Sequence, residues 1–154
     1  MPPVASPTLD NRRALVRVVA HEALRGLNSL ARLHGGDIVA FLVFTGIWAL
    51  NTQHLIGEGE RYAALRDIPP DSQRRPASPA DLLRLVSIPE PLLLQYVDQM
   101  VEQGIIERVP GGLVAPSAVF TQPEMLDGAN EVYVRLIAMV TGLRDVGFSF
   151  GETA

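Results

Sequence analysis

The fold is decided by residues 78–116, which read SPADLLRLVSIPEPLLLQYVDQMVEQGIIERVPGGLVAP. Ser78 predicts the start of a first helix, because a serine side chain caps free N–H groups and the following proline is tolerated in a first turn. A short turn leads to a second predicted helix over 89–103. Two β-prone runs then surround the turn sequence Pro-Gly-Gly at 110–112. The predicted order is therefore helix, turn, helix and small hairpin.

The second predicted helix presents different residues on its two sides. Leu93, Val97, Met100 and Val101 recur at helical spacing and are expected to face the interior. The outward positions are then Leu94, Gln95, Asp98, Gln99 and Glu102. No basic residue lies between 90 and 103, so this outer face carries only neutral and acidic groups.

Composition limits the classes of protein and of site. The chain has 154 residues, 47% of them hydrophobic and 19% charged, which suits a folded protein with a sizeable core. It contains no cysteine, so disulfides, thiolate metal sites and thiol nucleophiles are excluded. The net charge is −4, and a negative protein does not attract nucleic acid over its whole surface. Any phosphate contact must come from a local group of its 13 basic residues, all arginine.

Helix signals and helix breakers divide the chain into five segments. Thr121 with Glu124 predicts a capping box that opens the last helix. The segments are a flexible arm at 1–8, an N-terminal helical pair at 9–56, a linker loop at 57–77, the helix-turn-helix and hairpin at 78–116, and a C-terminal helix at 121–147 that packs with the N-terminal helices.

The first and last helices each carry a narrow apolar seam, which predicts packing against another helix in the same chain or in a second copy. In the first helix the seam is Val16, Ala20, Ala23, Leu27 and Leu30, and in the last it is Val132, Leu136, Met139, Leu143 and Val146. Because such flanking helices commonly build a dimer, we expect a homodimer.

The most apolar stretch, residues 38–50, predicts a buried helix in the middle of the molecule with Trp48 and Phe41 in the core. At about 13 residues it is shorter than a bilayer requires. The first ten residues, MPPVASPTLD, lack the features of a secretion signal. A cytoplasmic protein with no membrane contact is the expectation.

The spacing within 78–116 resembles bacterial winged helix-turn-helix transcriptional regulators of the MarR, GntR and Crp kind. The carrying phrase is MVEQGIIER at 100–108, where a glycine ends the second helix ahead of two hydrophobic residues. The stretches LHGGDIVAFLVFTGIWALNTQHL at 33–55 and RYAALRDIPPDSQRRPAS at 61–78 also look like a group of uncharacterised proteobacterial helix-turn-helix proteins. The resemblance implies a mainly α fold, with a winged helix-turn-helix, a short β-hairpin wing and long flanking dimerisation helices.

The same resemblance implies a dimeric transcriptional regulator that places the second helix in the major groove of double-stranded DNA. Gln95 and Gln99 would then read adenine, and Leu94 would touch a thymine methyl. The phosphate contacts would come from Arg74, Arg75, Arg84 and Arg108. The sequence departs from the family in its charge, because residues 78–116 hold two arginines and five acidic residues, a net charge of −3.

That departure leaves a second hypothesis open, in which the module keeps the winged shape but binds protein through Leu92, Leu94 and Tyr96. A small-molecule effector pocket between the helix at 38–50 and the C-terminal helix is a further option. The three histidines lack a ligand pattern, and no nucleophile motif or paired carboxylates appear. We therefore expect no enzyme activity, no metal and no cofactor.

Overall fold

The computed structural model describes residues 10–59 and 61–149 and shows a mainly helical protein with a small two-stranded antiparallel sheet, as expected. The arm at 1–8 lies outside the described residues. The elements are α1 Arg12–Ala31, α2 Ile38–Thr52, α3 Pro79–Leu85, α4 Glu90–Glu102, β1 Glu107–Val109, β2 Gly112–Val114, α5 Ser117–Phe120 and α6 Pro123–Asp145. Single 3-10 turns occupy Arg32–His34, Gln53–Leu55 and Asp71–Gln73.

The central body consists of α2, α3, α4 and the hairpin. The Ser78 hydroxyl accepts a hydrogen bond from the Asp81 N–H at 3.1 Å, which confirms the predicted cap of α3. The predicted inward stripe of α4 is also confirmed, since Leu93, Val97 and Met100 are buried. They join one apolar core with residues of α2, α3, the hairpin and α5, namely Val43, Phe44, Ile47, Leu82, Ile106, Leu113, Ala115 and Val119.

The apolar helix α2 is less enclosed than its sequence suggests. Asp37 caps it as expected, but Trp48 is exposed and Phe41 only half-buried, so both core assignments are wrong. The reason is that α2 has helices and a strand on some sides only, and too little protein surrounds it to cover every apolar residue. With the turn that follows it, α2 forms a segment, Ile38–Leu55, long and apolar enough to cross a membrane by length and composition, a criterion that soluble core helices also meet.

The end of the predicted linker at 57–77 is fixed to the sheet and is not a free connection. Ala77 forms an antiparallel bridge with Leu113, with N···O distances of 2.8 and 2.9 Å. β2 pairs on its other side with β1, in the register Glu107 to Val114 and Val109 to Gly112. The segment is a long loop with one 3-10 turn, and its last residues are held because the backbone of residues 75–77 bonds partners far away in the sequence.

Gly112 is required by this arrangement. It has φ of 147°, and a Cβ there would lie 2.2 Å from the Ala77 carbonyl oxygen, so only glycine lets the two backbones approach. The buried Asn51 side chain closes the same junction. Its Nδ2 donates to the carbonyl oxygens of Arg75 at 2.6 Å and Leu113 at 2.9 Å, and its Oδ1 accepts from the Ala115 N–H at 2.9 Å.

The helices α1 and α6 pack side by side in opposite directions. Two hydrogen bonds join them: the Asn11 side-chain amide donates to the Val146 carbonyl at 3.2 Å, and the Ser29 hydroxyl donates to Glu131 at 2.8 Å. Two glycines of α6 allow close packing, since Val18 lies beside Gly142 and Leu33 lies against Gly128. The predicted capping box is wrong, because α6 begins after Gln122 and the Thr121 hydroxyl instead donates to the Ala118 carbonyl at the end of α5.

We predict that Asn51→Ala lowers the free energy of unfolding by about 2 to 4 kcal/mol, because the buried Ala115 N–H and Arg75 carbonyl lose their side-chain partner. Urea denaturation followed by circular dichroism measures the change. Asn130→Ala on the exposed face of α6 is the matched control and should stay within about 0.5 kcal/mol of the parent. Equal losses in both variants would contradict a special role for Asn51.

Candidate functional site

The candidate site is the outer face of α4, the helix that the resemblance places in a DNA groove. All five residues expected to face outward are exposed: Leu94, Gln95, Asp98, Gln99 and Glu102. Leu94 keeps 40% of its surface accessible. The face is therefore free to contact a macromolecule, and its chemistry depends on the charged groups around it.

Arg74 does not belong to this surface, so its assignment as a phosphate ligand is wrong. The residue is only 6% exposed. Its guanidinium lies over the Phe120 ring at 4.7 Å, and its Nη2 donates to the Pro69 carbonyl at 3.2 Å. Burial lowers the pKa of Arg74, while the nearby Asp71 carboxylate acts in the opposite direction. The buried cation stabilises the packing of 69–75 on α5 and cannot reach a phosphate.

Two further candidate cations are exposed but paired with carboxylates. Arg84 forms a hydrogen-bonded ion pair with Asp81 on α3, and Arg108 of β1 forms one with Asp98 of α4. Arg75 is exposed, and no carboxylate among the described residues lies within ion-pair distance of it. Each pair uses one terminal nitrogen of the guanidinium, so other donors stay open, but the adjacent carboxylate offsets the positive charge that would attract a phosphate.

The remaining charge around α4 is acidic. Across α3, α4 and the hairpin the exposed carboxylates are Asp81, Glu90, Asp98, Glu102 and Glu107. They outnumber the exposed guanidiniums of Arg75, Arg84 and Arg108. The structure thus brings Leu94, Gln95 and Gln99 together on one face, as predicted, in a module where carboxylates outnumber guanidiniums, a balance that disfavours binding of a polyanion.

Tyr96 and Leu92, candidates for protein contact, are both half-buried and not part of the open face. The Tyr96 hydroxyl donates to Asp37 Oδ2 at 2.6 Å, while Asp37 Oδ1 accepts from the backbone N–H groups of Val39 and Ala40 at 3.0 and 3.1 Å. The Tyr96 hydrogen bond, followed by the Ala40 N–H, lowers the pKa of Asp37. The same bond raises the pKa of Tyr96. Tyr96 therefore fixes α4 to the start of α2.

Neither of two open clefts in the described part of the chain lies where an effector pocket between α2 and α6 is expected. Both lie between α1 and α6. One, of about 160 Å³, is lined by Arg25, Asn28, Ser29, Arg32 and Arg135, and the other, of about 240 Å³, by Ser29, Leu30, Leu33, Asp127, Gly128 and Glu131. Over 10–59 and 61–149, no group of three or more His, Asp or Glu side chains is placed to hold a metal ion.

The arginine-lined cleft escaped the sequence analysis. Arg25 and Arg32 are seven residues apart and so share a helix face, a signal that was present in the sequence. Arg135 is brought to them only by the packing of α6 on α1.

No protein-family model matches the chain, and no curated protein or solved structure matches it either.

We predict that Asp37→Asn destabilises the protein most near neutral pH. The pKa of Asp37 is lowered in the folded state, so its ionised form stabilises the fold above the unfolded pKa of about 4, and this contribution is lost as the pH falls further. Urea midpoints measured from pH 3 to pH 7 should converge for the parent and the variant toward the acid end. A constant difference across that range would contradict the ionic role of Asp37.

Proposed function

We propose that this chain is a dimeric, winged-helix-type interaction protein whose α4 face binds another protein. The proposal rests on the environment of the arginines that were predicted to contact DNA phosphates: Arg74 is buried, while Arg84 and Arg108 are paired with carboxylates. Without these cations α4 lacks the positive surface that a DNA-reading helix requires. An exposed leucine among carboxylates and amides suits a protein surface better.

The order of elements supports the winged-helix part of the proposal. α2 is followed by the bridge residue Ala77, then α3, α4 and the β1–β2 hairpin. The bridge adds a third backbone segment to the edge of β2, so the hairpin is attached to the helical body. The exposed hairpin tip at 110–111 would be the wing.

A second copy of the chain would cover the apolar side of the α1–α6 pair. The exposed apolar residues of the two helices are Val16, Val19, Leu24 and Leu27 on α1, and Val132, Tyr133, Val134, Leu136 and Ile137 on α6. At about 3.6 residues per turn, Val16 and Leu27 project away from the α1 positions that contact α6. Half of the predicted seam positions are exposed, namely Val16, Ala20, Leu27, Val132 and Leu136, and the other half are partly buried within the chain.

The seams of the two helices fall on one side of the pair. Because α1 and α6 are antiparallel, their turns run in opposite senses, and helical periodicity directs Val16 and Leu27 to the same side as Val132 and Leu136. Helices of 20 and 23 residues are about 30 and 35 Å long, so an apolar strip along both is long enough to contact a second copy over several turns. Exposed apolar residues grouped on one side of a helix pair mark an interaction surface.

Leu136→Glu should convert the dimer to monomer, because it places a charge in the centre of the proposed apolar contact. Leu136 is 53% exposed, so the monomer fold tolerates the change. Sedimentation velocity at micromolar concentration gives the mass. Val134→Glu is the control, since Val134 is 46% exposed but lies on the other side of α6. A parent protein that sediments as a monomer would contradict the dimer.

The partner should carry a basic surface around an apolar pocket. Leu94 would enter the pocket, while Asp98 and Glu102 would face its cations across the rim. The ion pair of Arg108 with Asp98 would be retained or exchanged at that rim. The acidic rim predicts that the association weakens as the salt concentration rises, because dissolved ions screen the attraction between the two charged surfaces.

We predict that Leu94→Arg abolishes retention of the partner. Leu65→Arg is the matched control, because Leu65 is 49% exposed and lies in the 57–77 segment. The parent and the two variants would each be immobilised, and the proteins that they retain would be compared. The expected partner is retained by the parent and by Leu65→Arg but not by Leu94→Arg, and its elution by salt is a second measurement. Identical retention by all three proteins would exclude the α4 face as the interface.

DNA binding is the second candidate, favoured by the exposed Gln95 and Gln99 and by Arg75, which has no carboxylate partner among the described residues. A transcriptional regulator of this kind would bind duplex DNA with an affinity that falls steeply with salt. Fluorescence anisotropy with labelled genomic duplexes tests it. Micromolar or tighter, salt-dependent binding that Leu94→Arg leaves intact or raises would favour DNA over a protein partner.

A further inference from the structure

The cleft of about 160 Å³ between α1 and α6 collects arginines in a chain of net negative charge. α1 contributes Arg25, Asn28 and Ser29, the 3-10 turn that follows it contributes Arg32, and α6 contributes Arg135. We propose that this cleft binds a small phosphate-type oxyanion. The proposal is independent of the partner of α4.

The helix α1 is built to present these groups together. Positions 25, 28 and 29 follow the i, i+3, i+4 spacing, and Arg32, the C-cap residue with helical φ and ψ, continues the same face by one turn. The packing of α6 then sets Arg135 opposite them. A planar guanidinium offers several N–H donors in a fixed fork that matches a phosphate, and three of them lining one cleft can bind an oxyanion from two helices.

The donors of the cleft are largely unused by the protein. Arg25 Nη1 lies 3.7 Å from Glu22 Oε1, which is beyond hydrogen-bond distance. Arg32 is exposed, and no carboxylate in the described part of the chain pairs with it. Arg135 uses its Nε to donate to Glu131 Oε1 at 2.8 Å, which leaves its two terminal nitrogens for a ligand.

Glu131 positions the site and does not occupy it. Its Oε1 accepts from both the Ser29 hydroxyl and Arg135 Nε, each at 2.8 Å, so one carboxylate oxygen fixes a residue from each helix. Glu22 and Glu131 still reduce the local positive charge from three to one. Because α1 also ends near Arg32, its dipole does not attract an anion there, and the attraction must come from the guanidiniums.

The size and position of the cleft select the ligand. Pockets for drug-sized molecules occupy about 300–1,000 Å³, so a cleft of about 160 Å³ suits a phosphate group better than a larger compound. Helical periodicity places Arg25, Asn28 and Arg32 on the side of the pair that is turned away from Val16 and Leu27. A dimer formed through the apolar side would leave the cleft open.

The test is isothermal titration of the full chain with inorganic phosphate and with methyl phosphate, at constant ionic strength set with sodium chloride. The proposal expects saturable binding that Arg32→Gln weakens about tenfold, which is the order of one lost charge-assisted hydrogen bond. Arg13→Gln, also an exposed arginine of α1 but outside the cleft, should bind like the parent. Tighter binding of methyl phosphate would identify a phosphate ester as the ligand, and tighter binding of inorganic phosphate would identify the free ion.

Three results would each overturn the proposal. One is the absence of saturable binding of either probe by the parent protein, and another is equal affinities of Arg32→Gln and Arg13→Gln. The third is binding of duplex DNA that Arg32→Gln abolishes, which would make the cleft part of a nucleic-acid surface. Arg32 is exposed and makes no contact that the fold requires, so circular dichroism should show Arg32→Gln folded in every case.

Discussion

The buried amide of Asn51 is the interaction on which the central body depends. One side chain at the end of α2 bonds the backbone of residue 75, the strand β2 and the start of the segment that leads to α5. The backbone carbonyl of Asn51 also accepts from the Arg75 N–H at 3.0 Å. Without it the bridge at Ala77 would lose its neighbour, and the Tyr96–Asp37 hydrogen bond would be left to join α4 to α2 beside the apolar packing. A satisfied polar network of this kind specifies one arrangement where hydrophobic contact permits several.

The sequence predicted the helices of this protein better than it predicted the segment that joins them. The two faces of α4 follow from the period of the α-helix, and Leu93 is buried while Leu94 is exposed, as the pattern requires. Residues 57–77 have no such period. Arg74 and Arg75 are adjacent and identical, yet one is buried over Phe120 and the other exposed. The difference is created by Phe120, which lies 46 residues further along the chain.

Charge at the candidate site was equally hidden in the sequence. Arg108 and Asp98 are separated by ten residues and belong to different elements, so their pairing appears only when the hairpin folds back along α4. The acidic balance of 78–116 was visible from composition, but composition did not show which cations remain available. A count of charges in a segment is therefore a weaker guide to binding than the partners of each charged group.

The two proposed binding surfaces of the α1–α6 pair lie on opposite sides of it: the apolar residues on one side and the arginine-lined cleft on the other. Its apolar side can be covered by a second copy, while the arginines of the cleft stay in water, so dimerisation and anion binding need not compete. Both sides nevertheless share the two helices, and a ligand held by Arg32 and Arg135 would join α1 to α6 across the cleft. An anion bound there would stabilise the packing of α1 on α6, which is also the surface of the proposed dimer, because a ligand that binds one arrangement more tightly increases its population. Through this linkage, anion binding and dimer formation would strengthen each other even though their contact surfaces are separate.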